Sequence, residues 1–242
     1  MPPQASPVAN HTACLAALRA AAIACGRDPS TVSLLPVSKY HPSSAILALH
    51  SQGIREFGEN YVQELESKAA ELPSDINWHF IGTLQSGKCK DLCRIENLSV
   101  IETVDSLSKA TKLNNQRAKH WPNHPITCYL QVNTSDEPQK AGIPSSDLNQ
   151  LQQLVEFFSS PECTTLRLAG LMTIGSRAAS TADGLNPDFT KLSQLRNALN
   201  EKYGLDLQLS MGMSNDYKQA IAQGSNEVRI GTDIFGQRPT ST

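Results

Sequence analysis

Lys39 closes an apolar run, Val32–Lys39 (VSLLPVSK), that reads as a strand. A lysine at the carboxyl end of a strand keeps its stem among apolar neighbours. Partial desolvation then lowers its pKa and supplies the neutral amine that attacks an aldehyde to form an imine. Two small-residue turns late in the chain suit an anion. Ser210-Met211-Gly212-Met213-Ser214 and Gly231-Thr232 each follow a strand-like run, where main-chain N–H groups can approach a phosphate closely. A helix expected to begin near Asp216 would add its dipole. Arg229 stands two residues before the second turn, in Glu227–Gly231 (EVRIG). A guanidinium there needs either a carboxylate such as Glu227 or a ligand, because burying it unpaired is costly.

Other polar groups fall at or near strand ends. Glu59 and Asn60 follow the second strand, His79 lies in the third, and Gln85 and Lys88 follow it; Asn133 ends the fifth, and Met172 and Thr173 sit in the sixth. Asn60 either hydrogen-bonds a ligand or caps the helix that follows. His79, beside Trp78, reads as a satisfied core histidine more than as a general base. Cys89 and Cys93 stand four apart, close enough to share a helix face, but no histidine nearby completes a metal site.

These groups need a frame, and short strand-like runs alternate with amphipathic helical runs along the chain. The expected strands are Val32–Lys39, Ile54–Gly58, Trp78–Gly82, Val100–Val104, Ile126–Asn133, Arg167–Gly175, Asp206–Ser210 and Glu227–Gly231. The expected helices are Pro42–Gln52, Tyr61–Glu71, a short one near Lys88–Arg94, Ser106–His120, Ser145–Phe158, Pro187–Tyr203 and Asp216–Gln223. Eight parallel strands with helical crossovers predict an α/β fold, a single (β/α)8 TIM barrel whose chemistry sits at the carboxyl ends of its strands. An open doubly wound sheet is the alternative, but no Gly-rich dinucleotide turn follows the first strand. An extra helix over Thr12–Cys25, with Thr12 as N-cap and Gly26 and Pro29 beyond its end, is expected to cover the barrel. Residues 1–11 are expected to be a flexible leader and residues 12–242 the barrel domain. The polar stretch Ser176–Asn186 reads as a mobile loop.

With 21 basic and 23 acidic residues among 242, the chain lacks the basic face that nucleic-acid binding requires. No apolar run approaches the roughly 20 residues of a membrane span. Six cysteines without disulfide-framework spacing fit a reducing compartment, so a cytoplasmic location is expected. The first 27 residues carry no Asp or Glu, a composition shared with organelle-targeting segments, so a mitochondrial pool stays open.

The segments Leu35–His41 (LPVSKYH), Glu56–Glu64 (EFGENYVQE), Trp78–Lys88 (WHFIGTLQSGK), Gly170–Gly175 (GLMTIG), Leu209–Asp216 (LSMGMSND) and Val228–Gly236 (VRIGTDIFG) resemble, in order, those of the pyridoxal phosphate homeostasis proteins. The resemblance implies a fold like the amino-terminal domain of alanine racemase, with pyridoxal 5′-phosphate as cofactor on Lys39 as a Schiff base. It places the phosphate against Ser210, Met211, Gly231 and Thr232, the ring nitrogen near Arg229, Asn60 beside the cofactor and Met172 in the ring pocket. Arg stays protonated, so the ring nitrogen would not be, and strong carbanion chemistry is disfavoured. One departure is visible: Gly87 stands where relatives have Asn, which puts a local helix cap in doubt.

The resemblance implies a carrier or buffer of pyridoxal phosphate without robust turnover, with apo enzymes that use the cofactor as partners and a monomer as the expected state. The alternative is a pyridoxal-phosphate-dependent amino-acid racemase. Two-base racemisation draws its second acid/base group from a separate domain, for which the eleven residues after the last strand leave no room. A class I aldolase-like barrel, with the lysine forming an imine to substrate, is a third reading.

Overall fold

Each strand is too short to bury its two faces alone, and a helix returns the chain after nearly every one, so neighbouring strands run parallel. The computed structural model describes residues 6–182 and 184–237. Its strands are β1 (Ser33–Pro36), β2 (Glu56–Glu59), β3 (Asn77–Phe80), β4 (Leu98–Val104), β5 (Ile126–Asn133), the two-residue β6 (Ile143–Pro144), β7 (Leu166–Met172), β8 (Gln208–Ser210) and β9 (Glu227–Ile230). Around them lie α1 (Pro7–Ala24), α2 (Ser43–His50), α3 (Val62–Glu71), α4 (Cys89–Arg94), α5 (Leu107–His120), α6 (Leu148–Ser159), α7 (Arg177–Thr181), α8 (Pro187–Tyr203), α9 (Tyr217–Ala222) and α10 (Thr232–Phe235).

The strand order is β1-β9-β8-β7-β5-β4-β3-β2, every pairing parallel, with β6 attached only to β5. The ring closes between β1 and β2, where Val37 bridges Gly58 and the Ser38 N–H donates to the Gly58 carbonyl at 3.0 Å. The expected eight-stranded barrel is therefore the observed one. Its two faces follow the period of a strand. Phe57, Phe80, Ile101, Leu130, Leu171, Leu209 and Val228 join the main core beneath the helices. Alternate positions form two small separate clusters, Leu35–Val37–Ile81 and Val100–Tyr129–Met172.

Two elements differ from expectation. Helix α1 begins at Pro7, with the Ser6 hydroxyl accepting the Ala9 N–H at 3.2 Å. Serine followed by proline is a strong start: the hydroxyl satisfies one orphan donor and proline removes another. Thr12, expected as the cap, lies inside the helix and donates to the Val8 carbonyl at 3.0 Å. Residues 7–11, expected as flexible leader, are thus helical, and residues 1–5 lie outside the described residues. The expected loop Ser176–Asn186 carries α7, started by Ser176, whose hydroxyl accepts the Ala179 N–H at 3.1 Å. Among the described residues no helix is long and apolar enough to cross a membrane.

Candidate functional site

The carboxyl ends of β1, β2, β7 and β9 open onto a cavity of about 550 Å³, within the roughly 300–1,000 Å³ usual for small-molecule sites. Lys39, Asn60, Met172, Arg229, Gly231 and Thr232 all line it. Ser210 and Met211 do not. Ser210 is fully buried below the cavity, its hydroxyl 2.6 Å from Glu102 Oε2 and 2.7 Å from Arg229 Nη1. The Met211 side chain packs in the outer core, and its N–H donates to the Glu227 carbonyl at 3.1 Å. Met213, Ser214 and Asn215, further along the same run, face the cavity instead.

The main chain on both sides of Lys39 is clamped by α3. Lys68 is buried, and its Nζ donates to the Ser38 carbonyl at 2.8 Å, to Glu59 Oε1 at 2.6 Å and to Glu64 Oε1 at 2.8 Å. The Ser38 hydroxyl donates to the same Glu59 oxygen at 2.6 Å, and the Tyr40 N–H donates to Glu64 Oε1 at 2.6 Å. Tyr40 has a φ of 65°, a conformation rare for a bulky residue and characteristic of functional turns. The tie to Glu64 holds it there, and its hydroxyl bonds that of Tyr61 at the surface. Burial raises the Glu59 carboxyl above its usual pKa, with the Lys68 charge opposing.

Arg229 forms the cavity floor. Its Nη2 donates to the Thr173 carbonyl at 2.9 Å, and its Nη1 lies 3.8 Å from Glu102 Oε2. Below it, His79 meets Glu102 at 3.2 Å and Glu56 at 2.8 Å, so the expected core histidine is a satisfied one. Burial favours its neutral form, but hydrogen bonds to Glu102 and Glu56 and the charges of Glu227 and Glu102 outweigh it and raise its pKa to about 10. Burial also works against Glu102, yet His79 and Arg229 hold it down to about 2. Glu227 is raised well above the carboxylate range, first by burial and then by the charge of Glu102.

These directions fix a pH dependence. A histidine raised from 6.5 to about 10 contributes stability in full below pH 6.5, and loses it as pH climbs through that window. At about 1.4 kcal/mol per unit of difference, the loss is on the order of a few kcal/mol. Melting temperatures across this window should fall more steeply for the parent protein than for His79→Gln; equal slopes would remove His79 as the cause.

The remaining walls mix apolar Val37, Ile81, Met172, Ile174 and Met213 with polar groups. Asn60 leaves its Oδ1 buried without a hydrogen-bond partner, and α3 has Tyr61 as its N-cap residue with no side-chain cap bond, so Asn60 is not used as the cap. A side chain at Gly82 would overlap the Asn60 carbonyl, which lets this loop pass close behind the asparagine. At Gly231 a Cβ would stand 3.2 Å from the Val37 carbonyl, tighter than side chains normally tolerate. Lys140, His41 and Arg177 also line the cavity, against the one carboxylate of Asp216, so the lining is net positive. Lys140 Nζ is held by Glu137 Oε1 and the Gly175 carbonyl, each at 2.7 Å. Sequence reasoning missed Lys68, Lys140 and His41.

Other candidates serve the scaffold. Thr173 bonds Thr134 and the Val132 carbonyl, Asn133 bonds the Glu137 carbonyl, and Lys88 pairs with Asp91. Helix α4 begins without a side-chain cap beside Gly87. Cys89 and Cys93 face the core, and burial pushes the Cys93 thiol up to about 12. A larger groove of about 820 Å³ lies at the opposite end of the barrel. Its Arg117 is committed to five carbonyls, those of Cys93, Ile95, Glu96, Leu98 and His124, so its size marks no chemistry.

The family model described as alanine racemase, N-terminal domain, matches residues 17–239. A pyridoxal phosphate homeostasis protein of Schizosaccharomyces pombe is 46% identical over 209 residues, covering 86% of this chain and 85% of its own length. One from Pseudomonas aeruginosa is 43% identical over 235 residues, 96% of each chain. Among solved structures, PipY of Synechococcus elongatus PCC7942, determined with PLP bound, is similar at a TM-score of 0.72 and 35% identity, covering 90% of this chain and 98% of its own. The chain belongs to the pyridoxal phosphate homeostasis proteins, within the alanine racemase N-terminal domain family.

Proposed function

We propose that the chain binds pyridoxal 5′-phosphate in this cavity as a Schiff base on Lys39, and that it stores or hands on the cofactor without robust turnover. The observation that carries the reading is the convergence of Lys39, Arg229 and the Gly231-Thr232 turn on one net-positive cavity. The relative PipY, solved with PLP bound, supports it. So does the fit of the lining: the buried, unpartnered Asn60 Oδ1 is a polar group in want of a ligand.

Bound there, the cofactor supplies an aldehyde that condenses with an amine and an anionic phosphate that anchors it. The chain supplies the rest. Lys39 brings the amine, and α3 fixes its peptide. Ser214, Gly231 and Thr232 would receive the phosphate, replacing Ser210 and Met211 in that role. Arg229, permanently charged, would face the ring nitrogen and leave it unprotonated; Met172 and Asn60 would flank the ring. Apo enzymes that need the cofactor are the recipients in this reading, and the chain acts as a monomer in the cytoplasm.

The test is to load the purified protein with pyridoxal 5′-phosphate, reduce it with borohydride and map the adduct by peptide mass spectrometry. One adduct per chain on the Lys39 peptide is expected; an adduct on Lys140, or none, would overturn the assignment. Sustained conversion of L-alanine to its D-isomer by the loaded protein would overturn the carrier reading in favour of a racemase.

A further inference from the structure

A single file of polar side chains runs from the cavity floor through the barrel to solvent at the far end. Arg229 Nη1 donates to Ser210 Oγ at 2.7 Å, and that hydroxyl lies 2.6 Å from Glu102 Oε2. The other Glu102 oxygen meets His79 Nδ1 at 3.2 Å, and His79 Nε2 meets Glu56 Oε2 at 2.8 Å. Arg229, Ser210, Glu102 and His79 are all buried, whereas the Glu56 side chain is 48% exposed. Cores of this fold are normally filled by layers of branched apolar side chains. Retaining a buried ionic file there is costly unless its geometry is used.

We propose that Ser210 and Glu102 are positioning residues for Arg229: they fix its guanidinium in the cavity wall and balance its charge, so that a carboxylate touching no ligand sets the potential beneath the cofactor. The proposal rests on the reading of the cavity given above. It follows from the connectivity. Arg229 pairs with Glu102 at 3.8 Å, and the Ser210 hydroxyl joins the two. His79 makes Glu102 a carboxylate shared between two cations. Glu227, 3.2 Å from the same hydroxyl and 3.8 Å from His79, has its carboxyl raised well above the usual range by burial and by the charge of Glu102, so Glu102 is the stronger acid of the two. Tyr129, from β5, is the remaining titratable group beside the file, neutral and bonded to Gln208. On the cavity side the groups facing the cofactor are Lys39, His41, Lys140, Arg177, Asp216 and Arg229.

The proposal predicts a signature that a purely structural role would not give. The visible absorption of the loaded protein reports protonation of the Lys39 imine, and a nearby charge moves such a pKa by on the order of one unit or more. Removing the charge of Glu102 leaves Arg229 unbalanced, which disfavours a second cation in the cavity. Glu102→Gln is therefore expected to lower the pH midpoint of that absorption by about one unit. Ser210→Ala, which deletes only the connecting hydroxyl, should lower it by less, and Glu56→Gln, at the solvent end, should leave it in place. Circular dichroism of each variant reports folding, and Ser210→Ala carries the test if Glu102→Gln does not fold. Borohydride stoichiometry separates the two possible failures. Absence of an adduct in the parent protein overturns the cavity reading and this proposal with it. A full adduct in Ser210→Ala and Glu102→Gln with the parent's pH midpoint overturns this proposal alone.

Discussion

Replacing Lys39 with alanine is expected to abolish covalent loading with pyridoxal 5′-phosphate: no reducible adduct by mass spectrometry and no imine absorption. The other amine in the cavity, Lys140, cannot substitute, because its Nζ is already engaged by Glu137 and the Gly175 carbonyl. An imine needs an amine free to reach the aldehyde, and this one is tied down at two points. The fold should persist, since Lys39 stands beyond the end of β1 and outside the apolar clusters. Weak, reversible binding should survive through the Gly231-Thr232 turn and Arg229, readable by equilibrium dialysis. Retention of a full reducible adduct in the alanine variant would remove this lysine from the chemistry.

Lys68→Met is expected to give the largest loss of stability among substitutions around the site. It removes the cation paired with Glu59, whose side chain is completely buried. Breaking a buried ion pair from one side costs about 3–5 kcal/mol, because the other charge is left uncompensated. For a domain of this size that is on the order of 10 °C in melting temperature. Adding Glu59→Gln should recover much of the loss, since no bare carboxylate then remains. The double variant should still load poorly, because the Ser38 carbonyl has lost its donor and Glu64, which holds Tyr40, has lost its counter-ion. Urea melts paired with cofactor titration check both parts; a Lys68→Met protein as stable as its parent would refute the clamp.

The barrel was legible because each strand carries a compact apolar run and each crossover a helical period, so all eight strand positions could be read without contacts. What could not be read was which member of a run reaches the mouth. Ser210 and Ser214 lie in one small-residue stretch, and only the pairing of Ser210 with Glu227, two residues below Arg229, shows that the first sits beneath the cavity. Lys68 did leave a trace. Val62, Leu65 and Lys68 are spaced by three along α3, and all three are buried, so a lysine on an apolar stripe signalled a buried partner. The network around Glu102 left none, because its members come from five strands far apart in the chain. The early start of α1 is legible in Ser6-Pro7, a stronger start signal than Thr12.

The seam of the barrel has a consequence for how the molecule is made. Strand β1 meets β2 at a single bridge but pairs along its length with β9, and α1 rests on α9 and α10, with Asn10 Nδ2 donating to the Ile234 carbonyl at 3.0 Å. A nascent chain leaving the ribosome must therefore carry its first helix and strand without these partners until almost everything else has been translated. The β1–β9 pairing therefore comes late in biogenesis, and such distant pairings are intrinsically slow to form.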